Sequence, residues 1–345
     1  MKLKQLGILA LVLLFSCNVK KTISESESNH NADFTIAFGS CNKQYETNIL
    51  WKEILKNNPN LWIWGGDNIY ADTKNMRKMK RDYTTQSNQK DYKALVKNTP
   101  ILATWDDHDY GVNDGGVEFT HKKEAQQLFL DFLDVEAQSE RRKREGIYHS
   151  EVINAPKGSI KVIILDTRYF RTAMTRAKIK NKKRYVPNSY GEGTILGKAQ
   201  WNWLNAELTS SKADFNIIVS SIQFLSAEHG FEKWANFPHE VDQLKKVITN
   251  SKAKNVVLLS GDRHISEFSK TTINGLSYPL IDFTSSGLTH SYTNYSGEPN
   301  RLRVQSVVSE ISFGLLKFDF NKNTVTMQMR GKDNILQQEL TQVYD

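Results

Sequence analysis

Short apolar runs that stop at ionisable residues recur along this chain. Residues 61–64 read Leu-Trp-Ile-Trp and end abruptly at Gly65-Gly66-Asp67, with a phenol at Tyr70. An unbroken apolar run of this length marks a strand buried on both faces, and in open α/β sheets ligands bind just beyond the carboxyl ends of the strands. Residues 33–41 alternate as a strand and end at Cys41, while 100–105 open into Asp106-Asp107-His108-Asp109-Tyr110, with Asn113 and Asp114 close behind. Residues 159–165 lead into Asp166-Thr167-Arg168 and Arg171, and 255–260 into Gly261-Asp262-Arg263-His264. A further run, 216–222, ends at Gln223, with Glu228, His229, Trp234 and His239 expected in the loop beyond.

Helical periodicity falls between these runs. Leu50, Trp51, Ile54 and Leu55 form a stripe within 47–57, the connection that a right-handed βαβ unit requires. Residues 119–135 read as an amphipathic helix, 198–210 as a Trp-bearing one, and the Lys-rich segment 73–98 as helical, peripheral and without chemistry of its own. The late runs 280–283, 313–320 and 324–329 are expected to complete a second sheet, antiparallel because their connections are short.

Composition changes this picture little. With 345 residues, 39% hydrophobic and 10% aromatic, the chain is globular and long enough for one large domain or two. A net charge of +8 suits an anionic substrate or surface, and equally a merely soluble basic exterior.

The amino terminus matters more. Lys2 and Lys4 precede an apolar stretch over 6–15, too short for the roughly 20 residues of a membrane span, and so read as a secretory signal. Leu14-Phe15-Ser16-Cys17 resembles a bacterial lipobox, which implies that Cys17 is lipidated and that the protein is an exported, membrane-anchored lipoprotein; a simple cleaved signal with an incidental cysteine is the alternative. Residues 1–17 are thus the leader, the Ser/Glu/Asn/His-rich 18–32 a flexible tether, and 33–345 the folded domain. Once Cys17 is acylated, Cys41 is the only remaining thiol, and an intramolecular disulfide is excluded.

The strand ends carry the candidate chemistry. Gly65 and Gly66 permit a sharp turn that presents the Asp67 carboxylate and the Tyr70 phenol to one point, a pairing suited to a hard, highly charged cation; Asp67 as a helix N-cap is the bland alternative. A lone exported thiol invites oxidation unless a metal holds it as thiolate, so Cys41 is either a ligand or a small buried hydrophobe. Asp106, Asp107 and Asp109 repel one another unless cations or protons hold them, or unless they form a solvated acidic loop. The Asp262-x-His264 spacing puts both side chains on one side of an extended backbone. Arg168 serves oxyanion recognition or a salt bridge with Asp166, and the basic run 176–184 is a solvated loop or steers an anionic substrate. Taken together, the repeated strand ends point to a multinuclear metal site.

The order Gly-Asp-x-x-Tyr, then an Asp-His-Asp segment, then Gly-x-x-His resembles the calcineurin-like metallophosphoesterases. Within them, Gly39-Ser40-Cys41, Gly66-Asp67-Asn68-Ile69-Tyr70, Trp105-Asp106-Asp107-His108-Asp109, Leu165-Asp166-Thr167-Arg168 and Ser260-Gly261-Asp262-Arg263-His264 are similar to the alkaline phosphatase D (PhoD-like) family, over roughly residues 34–320. The resemblance implies an α/β fold, a four-layer α/β/β/α sandwich of two mixed sheets flanked by helices. It also implies Fe3+ held by Cys41, Tyr70 and His264, a bridging Asp67, and Ca2+ on the side of Asp107 and Asp262. Oxygen-rich ligation of the second site agrees with a hard divalent cation. Asp107 stands where related phosphoesterases often use Asn, and no Val-x-x-His segment follows the fifth strand, a gap that Gln223 is expected to fill in part; the second metal is accordingly left open.

The implied function is a lipid-anchored, metal-dependent phosphoric-ester hydrolase using metal-activated water or hydroxide for in-line attack. His108 would contact phosphoryl oxygens or protonate the leaving group, and Arg168 would stabilise developing charge. The alternatives are a phosphodiesterase or phospholipase of the same fold, or a surface lipoprotein that only binds phosphate or metal. The implied partners are a phosphate ester and, through the lipid, a membrane. No stable protein partner is implied, and nucleic acid enters only as a substrate alternative.

Overall fold

A computed structural model describes residues 32–178 and 184–344. The leader with Cys17, the tether up to residue 31 and residues 179–183 of the basic run lie outside the described residues. No helix among the described residues is long and apolar enough to cross a membrane.

In chain order the early strands are β1 (Phe34–Gly39), β2 (Leu61–Gly65), β3 (Ile101–Thr104), β4 (His149–Ala155) and β5 (Gly158–Ile164). A two-stranded ribbon of β6 (Thr175–Arg176) and β7 (Tyr185–Val186) precedes β8 (Phe215–Val219), β9 (Val256–Ser260), β10 (Ser266–Thr271) and β11 (Leu280–Thr284). The chain ends with β12 (Arg303–Val308), β13 (Phe313–Asp319), β14 (Thr324–Arg330) and β15 (Leu336–Val343). One six-stranded sheet runs β15-β14-β13-β1-β2-β3, and a seven-stranded sheet runs β12-β10-β11-β9-β8-β5-β4. Both are mixed: β1, β2 and β3 are parallel, as are β5, β8, β9 and β11, and antiparallel strands extend the edges.

The sheets pack face to face through aromatic pairs. Phe38 of β1 meets Phe283 of β11 edge-on at 4.7 Å, and Phe215 of β8 meets Phe318 of β13 at 5.1 Å. On the outer face of the first sheet, Trp62 and Trp64, two residues apart and so on one side of β2, receive Trp51 from α1 (Leu50–Leu55) at 5.2 and 5.3 Å. Burying three indoles there anchors the strand that leads to Asp67.

The helices are α2 (Met76–Asn88), α3 (Lys90–Asn98), α4 (Asp107–Tyr110), α5 (Lys122–Phe132), α6 (Glu140–Lys143), α7 (Gly197–Ser210) and α8 (Pro238–Ser251). Segment 73–98 is two helices broken at Gln89, and it is less peripheral than its composition implies: buried Gln86 of α2 accepts from Asn42 Nδ2 at 2.6 Å, beside Cys41. Residue 239, expected in a loop, belongs to α8, which starts with Pro238 in its first turn and buries Leu244 and Ile248. The late runs divide between sheets. β13 and β14 join the first sheet antiparallel, whereas β11 sits in the second, parallel to β9, because β10 supplies the crossover between them.

The parallel strands of both sheets end on one edge, and the two sets of ends touch. A Cβ on Gly261, after β9, would lie 2.5 Å from Ser40 Oγ and 2.7 Å from the Gly65 carbonyl oxygen, so only glycine lets β9 approach the ends of β1 and β2. Backbone bonds sew the edge together: Gly287 and Leu288 donate to the Ser40 carbonyl at 3.2 and 3.1 Å, and Asn42 to that of Asp67 at 2.9 Å.

Candidate metal centre

At this edge the backbone is strained where the chemistry gathers. Cys41, Asp67, Asp262 and His264 have φ of 60°, 51°, 67° and 54°, left-handed conformations that non-glycine residues avoid. The Asp262-x-His264 segment is therefore not extended as its spacing suggested; the chain coils there. The turn is held by Arg263 N–H donating to the Gly261 carbonyl at 2.8 Å, His264 N–H to Ser286 Oγ at 2.7 Å and Tyr292 N–H to the His264 carbonyl at 2.9 Å.

Two groups of donor atoms result, and Asp67 belongs to both. In the first, ligand atoms of Cys41, Asp67 and His264 lie within 4.8 Å of one another. The Cys41 thiol donates to Asp67 Oδ2 at 3.3 Å and lies 3.0 Å from Ser286 Oγ. Tyr70 joins this group, its hydroxyl 3.3 Å from Asp67 Oδ2 and 3.1 Å from His264 Nε2. The second group is Asp67, Asp107 and His108, again within 4.8 Å. Asp107 Oδ2 accepts from Asp114 N–H at 2.6 Å, whereas its Oδ1 is buried with no hydrogen-bond partner. Asp262 is in neither group, although its charge raises the Cys41 thiol.

The acidic run after β3 avoids self-repulsion by geometry. The single turn of α4 sends the side chains apart: Asp106 to Arg168, Asp109 Oδ1 to Asp106 N–H at 2.6 Å, Asp107 inward, and His108 to Asp72. His108 Nδ1 lies 2.8 Å from both Asp72 oxygens, and its ring stacks on Tyr70 with centroids 4.1 Å apart.

Without a cation the centre demands protons. Burial, then the neighbouring Cys41, pushes the Asp67 carboxyl well above its usual range. Burial and Asp262 raise the Cys41 thiol to about 11 against the opposing bond from Ser286, and burial with Asp107 and Glu232 raises Asp262 to about 7 despite Arg263. At His108 burial favours the neutral ring, but Asp67, Asp72 and Asp107 outweigh it and raise it to about 11. Burial, His290 and His108 lower His264 to about 3, so it presents a neutral imidazole. The residues present fit resident metal: a thiol, a phenol and a neutral imidazole on one side of Asp67, carboxylate oxygens on the other, and an unpartnered oxygen on Asp107.

Arg168 is placed differently from the expectation that it grips substrate. It is fully buried, its guanidinium paired with Asp106 and, at 2.6 Å, with Glu232. Arg171 pairs with the other Glu232 oxygen at 2.9 Å and donates to the Asp114 carbonyl, next to the N–H that holds Asp107. The Asp166 carboxylate instead accepts from Trp105 Nε1 at 2.8 Å and from the N–H groups of Ile147, Arg168 and Tyr169 at 2.9 Å each, fixing the turn after β5. Gln223 donates its amide N–H groups to Glu267 and Thr284, both at 2.8 Å, and leaves its carbonyl oxygen buried without a hydrogen-bond partner.

Sequence reasoning missed Asp72, Glu232, Ser286, His290 and Tyr292. Ser286 had a readable signal, since Ser285-Ser286-Gly287 follows an apolar run just as Cys41 and Asp67 do. Glu232 and Asp72 lie in loops whose sequence gives no such cue.

The family model for PhoD-like phosphatases matches residues 36–329. Alkaline phosphatase D of Bacillus subtilis (strain 168) is 26% identical over 73% of this chain and 51% of its own length, so the chain spans about half of that relative. A solved structure of PhoD superposes with a TM-score of 0.74 at 18% identity, covering 90% of this chain and 70% of the other. A dimetal phosphatase from Danio rerio gives 0.56 at 14% identity, covering 91% of this chain and all of the other (100%).

Proposed function

The chain belongs to the PhoD-like phosphatase family, and from that premise we propose that it is a metal-dependent phosphoric-ester hydrolase of the alkaline phosphatase D type. The observation that carries this is the sharing of Asp67 between two chemically different donor groups at the joined strand ends. On this reading Cys41, Tyr70 and His264 would hold Fe3+, Asp67 would be shared between the two sites, and Asp107, with Asp262 near enough to feel its charge, would hold Ca2+. When bound, these cations supply Lewis acidity toward phosphoryl oxygens and acidify the attacking water.

The chain's own residues do the rest. Both Asp72 oxygens face His108 Nδ1, which keeps a proton there and leaves Nε2 directed inward, 3.9 Å from Asp107 Oδ1. From that position Nε2–H donates to a phosphoryl or leaving oxygen. Arg168 acts through its partners as a positioning residue: it balances Asp106 and Glu232, while Arg171 fixes the loop whose Asp114 N–H orients Asp107. The export and lipidation of Cys17 belong to the same proposal, and place this chemistry at a membrane outside the cytoplasm.

The test is a metal inventory of the purified full chain with rates on aryl phosphate monoesters and diesters. Iron and calcium together with hydrolysis support the reading, and relative rates assign monoesterase or diesterase. Fully metal-loaded protein that binds phosphate and hydrolyses neither ester would leave only the binding protein.

A further inference from the structure

Two side chains beside the centre have no part in this mechanism. His290 and Tyr292 follow β11 on the loop beyond Ser286, and both rings touch His264, with centroids 4.4 and 4.9 Å away. His290 also meets Tyr70 edge-on at 5.1 Å, and Tyr70 stacks on His108. The rings of His108, Tyr70, His290, His264 and Tyr292 thus form a continuous aromatic rim.

Tyr292 is the open end of that rim. It is 43% exposed while its ring contacts His264. Its loop is braced: Glu298 pairs with Arg263 at 2.8 Å, Ser291 Oγ donates to the Ser309 carbonyl at 2.9 Å, and Tyr295 N–H to the Tyr292 carbonyl at 3.1 Å. Residues 291–298, Tyr292 among them, line an open crevice of about 310 Å³, at the small end of the roughly 300–1,000 Å³ typical of small-molecule pockets. Arg263, one cation of this corner, is committed to Glu298 and to the Phe231 ring at 4.2 Å. Arg184, whose charge also feels Tyr292, is paired with Asp114 at 2.6 Å, so among the described residues the corner offers aromatic surface with its cations already engaged, which suits a flat uncharged group better than a second phosphate.

We propose that Tyr292, with His290 behind it, is the leaving-group subsite of this centre and takes a flat, uncharged aromatic ring. The inference rests on the phosphate-ester reading above. That chemistry has two sources, an aryl ester or the base of a nucleotide.

The test uses phosphonates, which bind without turnover, so that its failure is separable from failure of the enzymatic reading. Metal-loaded full-length protein is titrated calorimetrically with phenylphosphonate and with cyclohexylphosphonate, a ring of similar size lacking the π face. A stacking wall makes the phenyl ligand bind roughly fivefold tighter. Tyr292→Leu brings the ratio close to one, and Tyr292→Phe retains it. Equal affinities in the unaltered protein, or an undiminished ratio in folded Tyr292→Leu, overturn the subsite, as does failure to bind either phosphonate. Ring preference in a protein that hydrolyses no ester keeps the subsite and removes the phosphatase. Competition by adenosine 5′-monophosphate against ribose 5-phosphate assigns the source: a strong advantage for the former indicates a nucleotide, parity an aryl ester.

Discussion

Two clusters of buried charge lie side by side at the joined strand ends, and they differ in balance. In the first, Arg168 and Arg171 face Asp106 and Glu232, cation matched to anion. Burial alone would depress the Arg168 guanidinium, but Asp106 and Glu232 outweigh it and hold it above its usual value. In the second, burial and neighbouring negative charge drive Cys41, Asp67 and Asp262 toward their protonated forms, whereas Asp107 is held below its usual range because Arg168 and then His108 outweigh its burial. A balanced cluster is finished structure; an unbalanced one requires a cation from outside. Direct partners thus separate two groups of residues that look alike in sequence, down to neighbours: Asp106 pairs with the Arg168 guanidinium, although burial still pushes its carboxyl above the usual range, whereas Asp107 lies among the donor atoms around Asp67.

The sharpest way to break this contrast is to remove Asp67, the residue common to both donor groups. Asp67→Asn is expected to lose metal and to lower kcat/KM by roughly 1,000-fold or more, the several kcal/mol a cation site supplies. Elemental analysis and kinetics on one monoester check it, and unchanged metal content with near-normal rates would remove Asp67 from the proposed bridging role.

In the balanced cluster the damage should fall on stability instead. Arg168→Met leaves Asp106 buried without a cation and Glu232 with Arg171 alone, and should cost about 3–5 kcal/mol in denaturant unfolding. The molecules that remain folded should keep most of their kcat. A normal melting temperature with a large kcat defect would return Arg168 to the substrate.

Smaller effects sharpen the boundary. Asp72→Asn removes the charge that orients His108 and should lower kcat about 10- to 100-fold, the range for a residue supporting a site group, with the metal content intact. Tyr70→Phe should weaken or shift the visible charge-transfer absorption of the iron-loaded protein. Unchanged absorption in that variant excludes Tyr70 as a ligand.

The mildest test is pH. Asp262 is raised in the folded protein to about 7, so its protonated form is the stabilised one. That contribution is complete below the unfolded carboxylate value of about 3.9 and disappears as pH rises through about 7. Chelated protein should therefore lose melting temperature across that window relative to metal-loaded protein, in which a cation replaces the proton. Parallel melting curves in calorimetry would show that Asp262 faces no metal.

Much of this was legible in the chain. Apolar runs of strand length, each giving way to polar or reactive residues, marked β1, β2, β3, β5, β8 and β9 and gave nearly every candidate ligand, because a strand buried on both faces must be apolar and its end is where polarity resumes. The stripe of Leu50, Trp51 and Ile54 announced α1 for the same reason of burial. The polar edge strand β15, with Gln337, Gln338, Glu339 and Gln342, gave no such signal.

What the tertiary structure alone decided is which charges face each other. Sequence spacing cannot distinguish Asp106 from Asp107, since one turn of α4 sends the first to Arg168 and the second to Asp67. Nor could it bring Asp72 to His108, or Glu232 to two arginines, because those partners arrive on loops whose path is set by the packing of two sheets. Residue type and local pattern fix what a strand end can do; the balance of charge around it depends on contacts distant in sequence, and only the folded chain holds them.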